Sequence, residues 1–325
     1  MLESIFRAAI ATLAVLLSAQ GPAYAQAYPS RTVRIVIPFP PGGTSDILAR
    51  TLAQKLTDEW GQQVIAENRP GAAGNVASEH VAKSKGDGYT LLINTVGTHA
   101  INPAIYPTLP FDPIKDFTLI TNLVNLPSLL IVHPSVPATS AQELIALAKK
   151  RPGALQYSSA GSGSQPHLTA EMFKTMAGVD VLHVPYKGAG PQLLAIISGE
   201  VTLTFATAPA AVPLVKNKQA RAIAVTSAER VAALPDVPTL NESALPGYVA
   251  VGWNGLVGPA AIPAPVLEKI HTTVAKIYQQ PDMRERLVSL AAEPAISTTE
   301  EFTALVKSEI VKWAKAVKDS GAKLE

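Results

Sequence analysis

Two stretches of this chain join small residues to a helix start, an arrangement that holds an anion on backbone rather than on charged side chains. In the first, IVIPFPPGGTSDILAR (Ile35 to Arg50), the apolar run Val33 to Ile37 stops at Pro38, and Phe39, Pro40, Pro41, Gly42 and Gly43 follow. Ile47, Leu48, Leu52 and Leu56 then recur with the period of a helix. Without a Cβ, Gly42 and Gly43 can take positive φ and let a ligand touch N–H groups. The unsatisfied N–H groups and positive dipole end at Thr44–Ser45 would face it. A proline-stiffened βα turn with no ligand is the alternative reading. In the second stretch a strand at Leu155 to Ser158 leads into Ser159, Ala160, Gly161, Ser162, Gly163, Ser164, Gln165, Pro166 and His167, then a helix to about Met176. The two turns lie roughly 120 residues apart, and if each belongs to one lobe, both helix starts point into one cleft.

Catalytic signatures fail. No glycine pair flanks Ser159, Ser162 or Ser164 as a nucleophile elbow requires, no phosphate-loop sequence occurs, and no G-x-G-x-x-G follows a strand. The six histidines (His80, His99, His133, His167, His183, His271) form no H-E-x-x-H and no close pair, so neither a metal site nor a cofactor is expected. His133 and His183 fall at strand ends and read as structural. His167 sits beside the second loop and is the better contact candidate. Asp46 has two readings, a helix cap or a ligand contact, and a carboxylate beside an anion is unfavourable. Isolated carboxylates leave an α/β enzyme as a residual possibility.

The totals narrow the class. The 325 residues are 47% hydrophobic and 16% charged, enough for one large or two medium domains with real cores. Net charge is +2 and no basic run exceeds Lys149-Lys150-Arg151, which argues against a nucleic-acid partner. Cysteine is absent, which excludes disulfides and thiolate chemistry and suits an oxidising compartment. Residues 1–25 read as a signal peptide: Arg7, an apolar core from Ala8 to Leu17, and Ala23-Tyr24-Ala25 before Gln26. That core is too short to span a bilayer. The expected mature protein begins at Gln26 in the periplasm.

Strands and helices must carry the two loops. Gln63 to Glu67 reads as a strand, Ala73 to Lys83 as a helix with Val76 and Val81 apolar, and Tyr89 to Ile93 as a strand. The latter ends in the polar loop Asn94 to His99, at the edge where ligands sit in parallel α/β sheets. There Thr98 is a candidate contact, and His99 either contacts a ligand or caps the next helix. Two strands, Phe117 to Asn122 and Ser128 to Val132, are expected on either side of Leu126-Pro127, with a lobe boundary there. Further βα units follow, with Pro185-Tyr186-Lys187-Gly188-Ala189-Gly190 and Thr207-Ala208-Pro209 as strand-end loops. The chain re-enters the first lobe near Val249 and ends in helices. Expected lobes are residues 26–126 with 247–325, and residues 127–246, joined by two crossings suited to a hinge.

The ordered set YPSRTVRIVIPFPPGGTSDILAR, ENRPGAAGN, DGYTLL, VGTHAINPAIY, SSAGSGSQPH, HVPYKGAGP and WNGLVGPAAIPAPV resembles the Bug receptors, the TctC-related periplasmic binding proteins of tripartite tricarboxylate transporters. The resemblance covers essentially the whole mature chain. It implies a type II periplasmic-binding-protein fold, two α/β lobes with two crossovers and a ligand in the cleft. It also implies no catalysis, and one large and one small membrane permease subunit as partners; a monomer without a cofactor is expected. A sensor for a membrane histidine kinase would use the same cleft. In this family two βα loops pinch a ligand carboxylate, partly through ordered water, and they match Phe39 to Asp46 and Ser159 to His167. Thr98, His99, Tyr186, Lys187 and Thr207 are expected to line the remainder.

One departure bears on the ligand. Many relatives carry an acidic residue after the phenylalanine matching Phe205, whereas this chain has Ala206-Thr207. A small organic acid without a free amine is therefore expected, its carboxylate between the two loops and its remainder toward Tyr186 and Thr207. Ala206→Asp is expected to weaken acid binding. Gly43→Val or Gly163→Val should each weaken binding at least tenfold by blocking backbone approach.

Overall fold

The computed structural model describes residues 28–321; the signal-peptide reading and the Gln26 terminus fall outside them. In chain order the elements are β1 (Val33–Ile37), α1 (Thr44–Trp60), β2 (Val64–Asn68), α2 (Asn75–Ala82), β3 (Thr90–Thr95), α3 (Asn102–Ile105), β4 (Phe117–Val132), α4 (Ala141–Lys150), β5 (Gln156–Ser159) and α5 (Gln165–Ala177). They continue as β6 (Leu182–Pro185), α6 (Ala189–Ile197), β7 (Leu203–Thr207), α7 (Ala208–Lys216), β8 (Arg221–Val225), α8 (Leu240–Ser243), β9 (Val251–Pro259), α9 (Ala264–Gln279), α10 (Pro281–Ser289), β10 (Glu293–Pro294) and α11 (Thr299–Ser320).

The strands form two sheets that share β4. In the first, β2, β1 and β3 run parallel, β9 is antiparallel to β3, and the front half of β4 is antiparallel to β9. In the second, the back half of β4 lies between β8 and β7, and β5 and β6 extend the sheet parallel to β7. β4 thus pairs Pro127 with Val251 and, one residue on, Ser128 with Thr207. The expected break at Leu126-Pro127 does not occur. Proline lacks only the donor, and the neighbouring donors keep the ladder: Ser128 N–H donates to Thr226 Oγ1 at 2.9 Å, and Thr226 N–H to Ser128 O at 2.9 Å. Ala250 N–H then donates to Thr226 O at 2.9 Å, so the outgoing and returning chains are fastened at one point.

Burial explains the layers. Leu48, Leu52 and Leu56 of α1 cover Ile35, Ile37 and Leu91 on one face of the first sheet, together with Ile270, Val274 and Ile277 of α9. The opposite face, with Val36 and Leu92, belongs to a second cluster that continues through Phe302, Val306 and Trp313 of α11 into Phe173 of α5 and Tyr157 and Phe205 of the second sheet. α11 starts with a capping box, Thr298 and Glu301 bonding each other's backbone, and ends at left-handed Gly321. It packs on both α5 and α3, bridging the sheets.

Two other expectations need correction. Residues 73–83 are not one helix: Ala72–Gly74 form a 3₁₀ turn with Ala72 and Ala73 at positive φ, α2 starts only at Asn75, and Val76 is exposed. The segment after β3 is not an open polar loop. It winds into a π-helical turn, Gly97–Ile101, that buries Thr98 and His99 completely.

Candidate ligand-binding cleft

Strands β1, β5, β6 and β7 each run into a helix, and the four helix starts meet. The cap residues of α1, α5, α6 and α7 are Gly43, Ser164, Gly188 and Thr207, and all four line one cavity of about 700 Å³. No side chain caps any of these helices. Their first-turn N–H groups are therefore left to whatever occupies the cavity, and four positive dipole ends address it. No lysine, arginine or histidine is on its wall among the described residues. Positive potential here comes from backbone.

The first loop is held by Asp46, the acidic side chain on the wall. Its carboxylate accepts from Gly42 N–H at 3.0 Å, Asn68 Nδ2 at 2.8 Å and Arg50 Nε at 3.1 Å, with Arg50 Nη2 2.9 Å from the other oxygen. Asn68 Nδ2 also donates to Phe39 O at 3.0 Å. Burial alone would raise the Asp46 pKa, but the bonds from Arg50, Gly42 and Asn68 outweigh it and hold the carboxyl below its ordinary value. Neither sequence reading of Asp46, cap or ligand contact, describes these contacts: the side chain caps no N–H of α1 and instead braces the loop ahead of it. Its side chain pins Gly42, at φ 92°, from the first turn of α1.

The second loop is braced from below. Ser159 Oγ accepts from Gly161 N–H at 3.1 Å, and His167 Nδ1 accepts from Gly163 N–H at 2.9 Å. Ser164 N–H donates to Gly161 O at 3.1 Å. Gly161 and Gly163 lie at φ 124° and 77°, where other residues are strained. Their N–H groups are spent inside the loop, whereas the Ser162 N–H, between them, makes no bond within it.

Of the residues expected at the site, Phe39, Pro40, Gly42, Gly43, Thr44, Asp46, Ala160, Gly161, Gly163, Ser164 and Thr207 line the cavity. Six do not. Thr98 is turned inward: its Oγ1 accepts from Thr95 N–H, its N–H donates to Thr95 Oγ1, and its Oγ1 lies 3.0 Å from His99 Nδ1. His99 packs on Phe117 at 4.7 Å, and burial pushes its pKa down to about 3. Ser159 and His167 sit beneath the second loop. Tyr186 packs against the α6–α7 side of the second sheet, its phenol pushed up to about 12 by burial and then by Glu200. Lys187 is exposed outside the wall. The expected role of Ala206 also fails on geometry: alternation along β7 puts Thr207 at the cavity and turns Ala206 into the core.

Other wall residues went unread in the sequence. Asn102, Ile105 and Tyr106 come from α3 and its end, and Gly252, Trp253 and Asn254 from β9, whereas Val96 and Gly97 belong to the Asn94–His99 segment that was read at the ligand edge. Asn102 Nδ2 bonds Ala73 O at 3.1 Å and Asn75 Oδ1 at 2.7 Å, tying this wall to the 72–75 turn. Asn254 Nδ2 donates to Ser45 Oγ at 2.8 Å, tying β9 to the start of α1. The tyrosine on the wall is Tyr106, its pKa raised by burial. A signal existed for the β6–α6 loop, since Gly188-Ala189-Gly190 repeats the small-residue helix start of the first two loops.

Two sheets sharing a strand, with helix starts converging between them, define the two-lobed periplasmic-binding-protein fold of the type II class. Comparison with known proteins gives the family. Residues 48–322 match the model of the tripartite tricarboxylate transporter family receptor, TctC, and the chain belongs to that family. It is 31% identical to the protein BugT of Bordetella pertussis over 97% of this chain and 98% of that one. Among solved structures it is similar to R. palustris Rpa4515 with adipate (38% identity, TM-score 0.84, covering 92% of this chain and 100% of that one). It also resembles MatC from Rhodopseudomonas palustris with bound malate (32% identity, TM-score 0.78, covering 89% and 100%). Among the described residues no helix is long and apolar enough to cross a membrane.

Proposed function

We propose that this chain is an extracytoplasmic solute receptor that binds a small organic acid between its lobes and delivers it to a tripartite tricarboxylate transporter. The observation that carries this is the meeting of four uncapped helix starts on one cavity whose wall, among the described residues, bears no cationic side chain. One carboxylate is held by N–H groups at the start of α1 and by the Ser162 N–H. Each such bond contributes about 1.5–3 kcal/mol. Four or five of them, before ordering costs, reach the roughly 8 kcal/mol of a micromolar complex. The adipate and malate bound by relatives support a carboxylate as the ligand class.

Among the described residues the only carboxylate on the wall is already committed to Arg50, Asn68 and Gly42, so a ligand ammonium finds no counter-charge and an acid without a free amine is favoured. Lobe boundaries at residues 126/127 and 246/247 go with this reading, supported by β4 changing partners at Pro127–Ser128. Export with cleavage before Gln26, a periplasmic location, a monomeric state and two permease subunits as partners complete the proposal. Family membership favours transport over the kinase-sensor alternative and over an enzyme. Calorimetric titration with adipate, malate, nicotinate and aspartate tests it: a saturable heat with at least one amine-free acid is expected. Failure of every acid, with binding of a neutral or cationic solute instead, would overturn the carboxylate reading.

A further inference from the structure

Beneath the second loop lies a column of rings that does not reach the cavity. His167 stacks on His183 with ring centroids 4.1 Å apart and planes 8° from parallel, and His183 stacks on Tyr157 at 4.8 Å and 18°. Tyr157 is fully buried and its hydroxyl donates to Glu171 Oε1 at 2.5 Å; Lys174 Nζ meets the same oxygen at 2.7 Å. His183 Nε2 lies 2.7 Å from Ser159 Oγ. The column thus touches the loop twice, through His167 at Gly163 and through His183 and Ser159 at Gly161.

The proton inventory follows from the donors. Gly163 N–H can only donate, so His167 Nδ1 must present a lone pair, and the ring is neutral with its proton on Nε2. The groups facing it are His183 from β6, Tyr157 from β5, and Glu171 and Lys174 from its own helix. A second proton on His167 would set an Nδ1–H against the Gly163 N–H and a positive charge over the His183 ring. Burial first, and His183 next, push the His167 pKa down to about 4, in keeping with that arrangement.

We propose that His167 is a positioning residue for ligand recognition: its neutral imidazole accepts the Gly163 N–H, locks the loop, and so presents the Ser162 N–H to the ligand. This rests on the carboxylate-receptor reading for the identity of the ligand, but the loop lock itself does not. Being 6% exposed and off the cavity wall, His167 acts through the loop and not by contact.

Two variants separate the acceptor from the packing. His167→Phe keeps the ring stack and removes the acceptor; His167→Asn supplies an acceptor oxygen that does not titrate between pH 4 and 7. The first readout is hydrogen exchange of the Gly163 amide without ligand, expected to speed up at least tenfold in His167→Phe and to stay within about threefold of wild type in His167→Asn. The second is the affinity for adipate across pH 7 to 4, expected to run parallel in wild type and His167→Asn down to about pH 5 and then to fall up to about twofold further in wild type. Adipate itself titrates identically in both, so the difference reports the imidazole. Equal Gly163 exchange in wild type and His167→Phe would overturn the proposal, as would affinity profiles for wild type and His167→Asn that stay parallel down to pH 4. If His167→Phe does not fold, wild type against His167→Asn still decides. Should no acid bind wild type, the receptor reading fails, and the Gly163 exchange separately reports the lock.

Discussion

At Gly43 the backbone is extended, φ −82° and ψ 170°, and a Cβ built there meets nothing within 4 Å. Valine fits that backbone without strain, so Gly43→Val should leave the melting temperature within a few degrees while its methyls occupy the cleft. Ligand affinity is expected to fall at least tenfold, about 1.4 kcal/mol, by calorimetry. Gly163→Val is a poorer test than its sequence suggested, because φ 77° strains valine and confounds binding with folding. Asp46→Asn removes a charge from the brace, leaving Arg50 without its ion pair. A loss of about 2 kcal/mol in denaturant unfolding is expected, with weakened ligand binding as the loop loosens. Ala206→Asp would place a carboxylate in the core behind β7; lost folding, not altered specificity, is the outcome expected by circular dichroism.

Elements matter here through what lets them approach. β9 passes under α11 at Gly255, where an added Cβ would lie 2.2 Å from Phe302 Cζ and 2.7 Å from Asn94 Oδ1. Gly255→Ala should therefore destabilise the protein by roughly 2–3 kcal/mol in urea, with the same slope if the native state stays compact. The helix starts were visible in sequence as strand, small residues, then a helical period. Which N–H groups each start keeps free was not. That depends on acceptors such as Ser159, His167 and Asp46, whose side chains turn back onto their own loops.

For the molecule as a whole, pH and ligand should move stability in opposite senses. His99 and His167 both have native pKa values below the ordinary 6.5, near 3 and 4. Above pH 6.5 neither the native nor the unfolded chain protonates them appreciably, and stability is unaffected. Below 6.5 the unfolded chain takes up protons that the native fold refuses, so stability falls until the native groups also titrate. The slope is at most about 1.4 kcal/mol per pH unit for each histidine. Thermal melts between pH 7 and 4.5 should show this decline, shallower in His167→Asn. A ligand at a hundredfold excess over its Kd should add about 2.7 kcal/mol, raising the melting temperature by roughly 5 °C.

The α/β order, the two glycine-rich helix starts and the family were legible along the chain. Those rest on local regularities: the period of apolar residues, the freedom of glycine, and motifs short enough to read along the chain. Which polar residues face the cleft was set by contacts that folding brings together. Thr98 and His99 looked like a strand-end loop, but a π turn drives them inward against Phe117. Tyr106, a few residues on, takes the place on the wall that Tyr186 was expected to share. His167 was a contact candidate by proximity to the loop, and its ring faces away from the cavity because His183, distant in sequence, stacks on it. Side-chain direction depends on partners brought together by folding, and a residue's type and neighbours along the chain do not encode it.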